Sequence, residues 1–146
     1  VHELVKRIEL LLRYELLRYS CTLNTEIKVN SSTELYGDIN SLIQVFDNII
    51  INAIQAYEGK NGKIEFIIEE INDSILFTVR DYAKGIPRRV KDKLLKEMVT
   101  TKGTAGTGLG LYMSYSTIKA RFEGKMWFES TEGKGTTFYI QLPLKK

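Results

Sequence analysis

Amide side chains recur every four residues within an otherwise apolar stretch of this chain. Gln44, Asn48 and Asn52 have the spacing that stacks side chains on one face of a helix. Buried amides are costly without hydrogen-bond partners, so this stripe requires a polar counterpart. Two interpretations remain open: a row of hydrogen-bonded core amides, or carboxamide oxygens that face a pocket, where such hard oxygen ligands suit Mg²⁺.

Asp81 is the second candidate for a chemical role. It closes a strand in which the alternation of apolar and polar residues directs its side chain inward. Phe77 and Val79 lie on the same face of that strand, so the carboxylate continues the core-facing row. A carboxylate in this position needs hydrogen bonds. Since Asp81–Pro87 is rich in turn residues, a simple turn cap is the alternative. Thr136 points the same way from the last predicted strand.

The glycine-rich segment Gly106–Gly110 leads directly into a predicted helix. Free backbone N–H groups and the positive end of the helix dipole favour phosphate there, and glycines let the backbone come close. The segment is not a P-loop, because no Gly-Lys pair in the chain is followed by Ser or Thr. Its glycine spacing also differs from the dinucleotide fingerprint, so it is a weak signal when taken alone.

The elements that must position these residues follow from apolar periodicity. The sequence predicts helices over Glu3–Tyr19, Ile39–Tyr57 behind the N-cap candidate Asp38, Arg88–Met98 (short and polar) and Gly108–Phe122. It predicts strands near Glu26–Val29 and Glu34–Tyr36, and over Lys63–Ile71, Ser74–Asp81, Lys125–Ser130 and Thr136–Leu142. Tight βαβ alternation is scarce, which favours an α+β fold: a mixed sheet with helices on one face.

Length and composition exclude several classes of protein. The chain of 146 residues with a net charge of +3 suits one globular domain, residues 1–146, and carries no Lys/Arg run typical of nucleic-acid binding. Cys21 is alone, which indicates a reducing compartment. No segment resembles a signal peptide or is long and apolar enough to span a bilayer. Without an initiator Met, the chain is expected to be a C-terminal fragment, and His2 to be a solvated bystander.

In chain order, these segments resemble the nucleotide-binding boxes of the GHKL ATPase superfamily, and within it the ATP-binding catalytic domain of bacterial sensor histidine kinases. The matching segments are Gln44–Ala53 (N box), Asp81–Gly85 (first glycine box), Gly106–Leu111 (second glycine box) and Gly135–Phe138 with Leu142-Pro143 (C-terminal signature). The resemblance covers the chain from about Leu4. It implies the Bergerat ATP-binding fold, a two-layer sandwich of a mixed β-sheet with helices packed on one face.

The resemblance also implies a role for each matched residue, with ATP and Mg²⁺ as cofactors. Asn52 would hold Mg²⁺, and Asn48 beside it would polarise the phosphates or a bound water. Asp81 would accept from the adenine amino group, with Gly85 admitting the base and Thr136 supporting Asp81 or the adenine through a water. Gly106, Gly108 and Gly110 would wrap the phosphates, with Thr107 and Leu109 as further cofactor-binding residues of that segment. Lys102 would reach the phosphates from the lid, the segment from about Glu97 to Thr107.

The sequence departs from the family pattern at two places. Ala83 stands where the first glycine box normally has Gly, which implies a tighter adenine pocket or weaker ATP binding. The phenylalanine-rich box before the lid is degenerate at Leu95–Met98, although the Thr100–Lys102 that commonly follows it is intact.

Asn48 separates the branches of the superfamily. Chaperone, gyrase and mismatch-repair ATPases resemble one another in placing Glu there to activate water, whereas Asn cannot take a proton. The resemblance therefore implies transfer of the γ-phosphoryl group of ATP to a histidine on an upstream dimerisation and phosphoacceptor domain. It also implies a downstream response regulator, a homodimeric full-length protein and a cytoplasmic domain without membrane contact, with anchoring of the full protein left open. The alternative is a non-catalytic nucleotide-sensing or interaction module.

Overall fold

The computed structural model describes residues 1–30, 33–35, 37–58, 60–86 and 107–144, with side chains described outside 107–112. The helices are α1 (His2–Arg18), α2 (Ile39–Ala56) and α3 (Thr107–Phe122). The strands are β1 (Cys21–Lys28), β2 (Gly62–Ile71), β3 (Ser74–Asp81), β4 (Lys125–Thr131) and β5 (Gly135–Pro143). In this part of the chain, no helix is long and apolar enough to cross a membrane.

The strands form one five-stranded sheet in the order β1-β2-β3-β5-β4. β1 runs parallel to β2, and the remaining neighbours are antiparallel. α2 lies between the parallel strands β1 and β2 in the chain and connects them. The β2–β3 hairpin turns at Asn72 and Asp73, as the sequence predicts, with Asn72 in the left-handed region at φ 55°. The mixed sheet confirms the α+β prediction.

The helices pack on one face of this sheet because alternate side chains along the strands are the more buried ones. On β2, Ile64 and Phe66 are fully buried, whereas the intervening Glu65 is only half-buried. Phe46 of α2 lies over this face, with its ring centroid 5.5 Å from Phe66 and 4.7 Å from Phe77. The apolar face of α2 is therefore buried against the strands that carry the candidate site.

Asp38 caps α2, as the sequence predicts. Its Oδ1 accepts from the backbone N–H of Asn40 at 3.2 Å, and its Oδ2 accepts from the Ser41 hydroxyl at 2.9 Å. These hydrogen bonds hold the pKa of Asp38 below its ordinary value. The cap thus defines the start of the helix that carries the amide stripe.

Two predictions about the N-terminal strands were wrong. β1 begins at Cys21 rather than near Glu26, because Cys21 pairs with Gly62 and the parallel ladder then continues to Lys28. The sequence does contain a pattern typical of this longer strand, because Leu23, Thr25 and Ile27 are spaced two apart and share one face. The second predicted strand, at 34–36, is absent where the structure describes it, at 33–35, and Tyr36 lies outside the described residues.

The remaining element boundaries agree with the sequence to within a residue or so at each end. The predicted short helix over Arg88–Met98 and the loop that follows it, up to Gly106, lie outside the described residues. Lys102 of the lid therefore lies outside them as well.

Candidate functional site

Asp81 is a buried carboxylate at the end of β3, with 5% of its surface exposed. Its Oδ1 accepts from the backbone N–H of Ala83 at 3.1 Å and from that of Thr136 at 3.3 Å. The first bond is the local turn cap, and the second crosses to β5. Both interpretations of Asp81 from the sequence are therefore correct: the side chain caps its own turn, and it faces inward. Among the described residues, both hydrogen bonds go to Oδ1, which leaves Oδ2 for another donor.

Burial raises the pKa of Asp81, and the N–H donors of Ala83 and Thr136 offset part of that rise. An inward carboxylate with a raised pKa carries a desolvation cost that a simple turn cap at the surface would avoid. A combination of burial, oriented donors and a free acceptor atom is typical of a ligand-binding carboxylate.

Ser130, which was not predicted from the sequence as a site residue, joins the three segments around Asp81. Its hydroxyl lies 2.8 Å from the Thr136 hydroxyl and accepts from the backbone N–H of Ile86 at 2.8 Å. The sequence pattern could have identified Ser130, because it follows Met126 and Phe128 on the inward face of β4. Thr136 supports Asp81 through its backbone N–H, while its own hydroxyl binds Ser130.

Close backbone approach requires glycine at two positions beside Asp81. Gly135 has φ +125°, and a Cβ there would lie 2.2 Å from the carbonyl oxygen of Asp81. Gly85 has φ +74°, and a Cβ there would lie 2.3 Å from the carbonyl oxygen of Thr131. Gly85 thus packs the loop after β3 against the β4–β5 turn. Ala83, which replaces a family glycine, is accommodated with its methyl group buried.

The amide stripe of α2 is less buried than the sequence predicts. Gln44 is exposed, and Asn48 and Asn52 are half-buried, because the stripe lies at the edge of the helix packing. Asn48 Nδ2 donates to the hydroxyl of Ser114 on α3 at 3.5 Å. Ser114 is itself buried and was not singled out from the sequence.

A polar groove runs between α2 and α3 beside Asn48. Its volume is about 180 Å³, and its lining includes Gln44, Asn48, Ser114, Thr117 and Arg121. Asn48 therefore lies at the wall of an open site rather than within a sealed core. Asn52, one helical turn further on, is half-buried, and its side chain makes no hydrogen bond within the described part of the chain. A free amide oxygen of this kind fits a hard cation such as Mg²⁺, with phosphate and water supplying further oxygen ligands.

The glycine-rich segment does lead into a helix N-terminus. α3 begins at Thr107, so Gly108, Leu109 and Gly110 belong to its first turn, where backbone N–H groups have no partner within the helix. Gly106 lies just outside the described residues. The backbone thus has the arrangement that favours an anion.

The fold brings these groups together in two sets. Asp81, Thr136 and Ser130 form one set at the ends of β3, β5 and β4. Asn48 and the N-terminal half of α3 form the other, joined by the bond to Ser114. α2 carries Asn48 and connects the two sets, because its C-cap residue Tyr57 accepts a hydrogen bond from the backbone N–H of Tyr82, directly after Asp81.

Solved structures of histidine kinases share this fold. The chain superposes on the catalytic domain of histidine kinase ThkA with a TM-score of 0.80 and 30% identity, covering 98% of this chain and 91% of that one. A structure of ThkA in complex with the response regulator protein TrrA also matches, with a TM-score of 0.79 and 26% identity, covering 99% of this chain and 40% of that one.

Relatives at the sequence level include sporulation kinases and sensor kinases. Sporulation kinase A of Bacillus subtilis is 38% identical over 114 residues, which are 78% of this chain and 18% of that protein. Sporulation kinase C of the same organism is 31% identical over 145 residues, which are 99% of this chain and 33% of that protein. The chain thus spans a third or less of these relatives' lengths. A family profile described as "Histidine kinase-, DNA gyrase B-, and HSP90-like ATPase" matches residues 37–146. The chain belongs to this ATPase family, and its relatives include sensor histidine kinase WalK of Bacillus subtilis, which is 34% identical over 122 residues, 77% of this chain and 20% of that protein.

Proposed function

We propose that residues 1–146 form a single catalytic domain that binds Mg-ATP and donates the γ-phosphoryl group to a histidine on a separate phosphoacceptor domain. The observation that carries this proposal is the buried Asp81 carboxylate, with Oδ1 held by two backbone donors. Oδ2 makes no hydrogen bond to the described residues, so it would be available to accept from an adenine amino group.

Adenine would be recognised by Asp81 Oδ2, which would accept from the exocyclic amino group. The two hydrogen bonds to Oδ1 orient the carboxylate before the base arrives, so little side-chain entropy is lost on binding. Gly85 keeps the neighbouring loop close to the β4–β5 turn, and Thr136 holds the carboxylate from the opposite strand. The buried methyl group of Ala83 would form part of the pocket wall.

The phosphates would lie along α2 and the N-terminus of α3. Asn52 would hold Mg²⁺ and Asn48 would contact the phosphates or a bound water. The backbone of Gly106, Thr107, Gly108, Leu109 and Gly110 would wrap the phosphate oxygens, with Lys102 adding a positive charge. When bound, Mg²⁺ supplies charge neutralisation for in-line phosphoryl transfer.

Asn48 favours a kinase over an efficient hydrolase. An amide cannot remove a proton from water, whereas an imidazole acceptor is itself the nucleophile and needs no strong base. The domain's own residues would therefore act by positioning and by stabilising charge. The bond between the γ-phosphorus and the bridging oxygen breaks to release ADP as the nitrogen–phosphorus bond forms.

The partners follow from this proposed reaction. The acceptor domain would lie upstream in a homodimeric cytoplasmic signalling protein, and a response regulator would take the phosphoryl group in turn. The ThkA complex with TrrA supports such a partner. His2 is exposed at the start of α1 and is not proposed as the acceptor.

Calorimetric titration with ATP, with and without Mg²⁺, tests the binding half of the proposal. Incubation with labelled ATP and a helical-hairpin acceptor domain from a related sensor kinase, followed by mass spectrometry, tests the transfer half. Phosphohistidine is expected on the acceptor and not on His2. ATP binding without any transfer would favour a nucleotide-sensing module, and absence of ATP binding would favour an interaction module, the role to which the substitution at Ala83 points.

A further inference from the structure

Tyr57 connects the C-terminus of α2 to the strands that carry Asp81. Its hydroxyl donates to the backbone carbonyl of Lys63 at 2.5 Å and accepts from the backbone N–H of Tyr82 at 2.7 Å. Lys63 lies at the start of β2, and Tyr82 directly follows Asp81 at the end of β3. One phenolic oxygen therefore joins two strands and a helix.

This hydroxyl occupies the place of the next rung in the β2–β3 ladder. The antiparallel pairing ends at Ile64 opposite Asp81, so Lys63 and Tyr82 are the next residues on the two strands. The hydroxyl lies between the carbonyl of one and the N–H of the other, which extends the ladder through a side chain. Asp81 is thereby held at an interior rung instead of a frayed end.

The local sequence is built to admit the Tyr57 ring. Gly62 leaves room for it, because a Cβ at that position would lie 2.3 Å from Tyr57 Cδ2. A second tie runs in parallel, from Lys84 Nζ to Glu58 Oε1 at 2.5 Å, but both of those side chains are exposed. An exposed ion pair of this kind contributes little, so the Tyr57 hydroxyl, with two backbone hydrogen bonds and a half-buried ring behind it, is the stronger connection.

We propose that Tyr57 is a positioning residue for adenine recognition, because its hydroxyl holds the Asp81–Ala83 turn in the geometry that presents the carboxylate to the base. This inference rests on the proposed binding of ATP. The turn matters because the Ala83 N–H, which orients Asp81, is one residue beyond the N–H that Tyr57 holds. Tyr57 also links the adenine side of the site to α2, which carries Asn48 and Asn52.

Tyr57→Phe removes the hydroxyl and keeps the ring, so it separates positioning from packing. ATP and inosine triphosphate form the matched ligand pair, since inosine carries a carbonyl where adenine carries the amino group. The variant should lose roughly five- to tenfold of its preference for ATP over inosine triphosphate, which is the scale of one hydrogen bond. A merely structural role would weaken both nucleotides equally and leave the ratio unchanged. Tyr14→Phe, on the exposed face of α1, is the control.

Hydrogen exchange in the nucleotide-free protein tests the same hydroxyl independently of ATP binding. Tyr57→Phe should increase exchange at the backbone amides of Tyr82 and Ala83, while the middle of β3 stays protected. Unchanged exchange at these two amides would overturn the proposal even if the wild-type protein binds ATP well. If the Tyr57→Phe variant shows increased exchange but the wild-type protein binds no ATP, the proposed function is wrong. The role of Tyr57 in adenine recognition is then overturned as well, although its hydroxyl does hold the turn.

Gly62→Ala provides a second variant that leaves the hydroxyl in place but displaces the ring. Its new methyl group must push Tyr57 away from Lys63 and Tyr82, so the ATP preference should fall in the same direction. A full ATP preference in both variants would show that Asp81 is positioned without Tyr57.

Discussion

Asp81 and Thr136 lie opposite each other on antiparallel strands β3 and β5, and the Thr136 N–H donates to Asp81 Oδ1 at 3.3 Å. This bond joins residues that are 55 positions apart in the sequence. The strand register therefore places a backbone donor against a buried carboxylate, and the site depends on that register.

Asp81→Asn should weaken ATP binding while the fold remains intact. Asparagine keeps the size of the side chain and one oxygen acceptor, but it loses the charge and turns one acceptor atom into a donor. A loss of roughly tenfold or more in ATP affinity is expected by calorimetry, the cost of a lost hydrogen bond to a charged group. Asp73→Asn, in the exposed β2–β3 turn, is the control. Equal ATP affinity in the wild type and Asp81→Asn would refute the adenine assignment.

The pH dependence of stability should carry the signature of Asp81. Burial raises its pKa in the folded protein, so the folded state binds a proton more readily than the unfolded state does. In the pH range between the pKa of Asp81 in the unfolded state and its higher pKa in the folded state, the free energy of unfolding therefore falls as pH rises. Above this range, the full cost of burying the charged carboxylate is present. Asp81→Asn should be more stable than the wild type at neutral pH, with the difference shrinking in acid. Denaturant titrations at several pH values measure this, and a difference that grows in acid would contradict it.

Gly135→Ala should destabilise the fold much more than Gly133→Ala. Both glycines have positive φ, so alanine at either position would be strained by roughly 1–3 kcal/mol. At Gly133 the new methyl group meets open space, whereas at Gly135 it would lie 2.2 Å from the Asp81 carbonyl oxygen. The free energy of unfolding should drop by at least about 2 kcal/mol more for Gly135→Ala, the range of overpacked sites. Similar losses for the two variants would mean that the β3–β5 contact relaxes easily.

Asn52→Ala should remove the magnesium dependence of ATP binding and leave adenine preference unchanged. The half-buried amide has an oxygen available for a hard cation, and alanine has none. Calorimetry with and without Mg²⁺ measures the effect, with Gln55→Ala on the exposed side of α2 as the control. If Mg²⁺ enhances binding equally in Asn52→Ala, this side chain is a packing amide and the metal lies elsewhere.

Local patterns in the sequence were sufficient to predict most of the elements. The 3.6-residue period and the Asp38 cap predict α2 almost to its last residue, because helix hydrogen bonds join residues close in the chain. Alternation in β3 predicts that Asp81 faces inward, because strand side chains point to opposite faces in turn. β1 was the exception, since its length depends on pairing with a strand that comes after α2.

The amino-acid sequence by itself thus determined the family, the principal helices and the inward direction of Asp81, all of which depend on local spacing and residue type. Only the tertiary structure decided which groups meet Asp81. The Thr136 N–H, the Ser130 hydroxyl and the Tyr57 hydroxyl reach it or its neighbours through strand order and helix packing. Such contacts join distant parts of the chain, and no local periodicity encodes them.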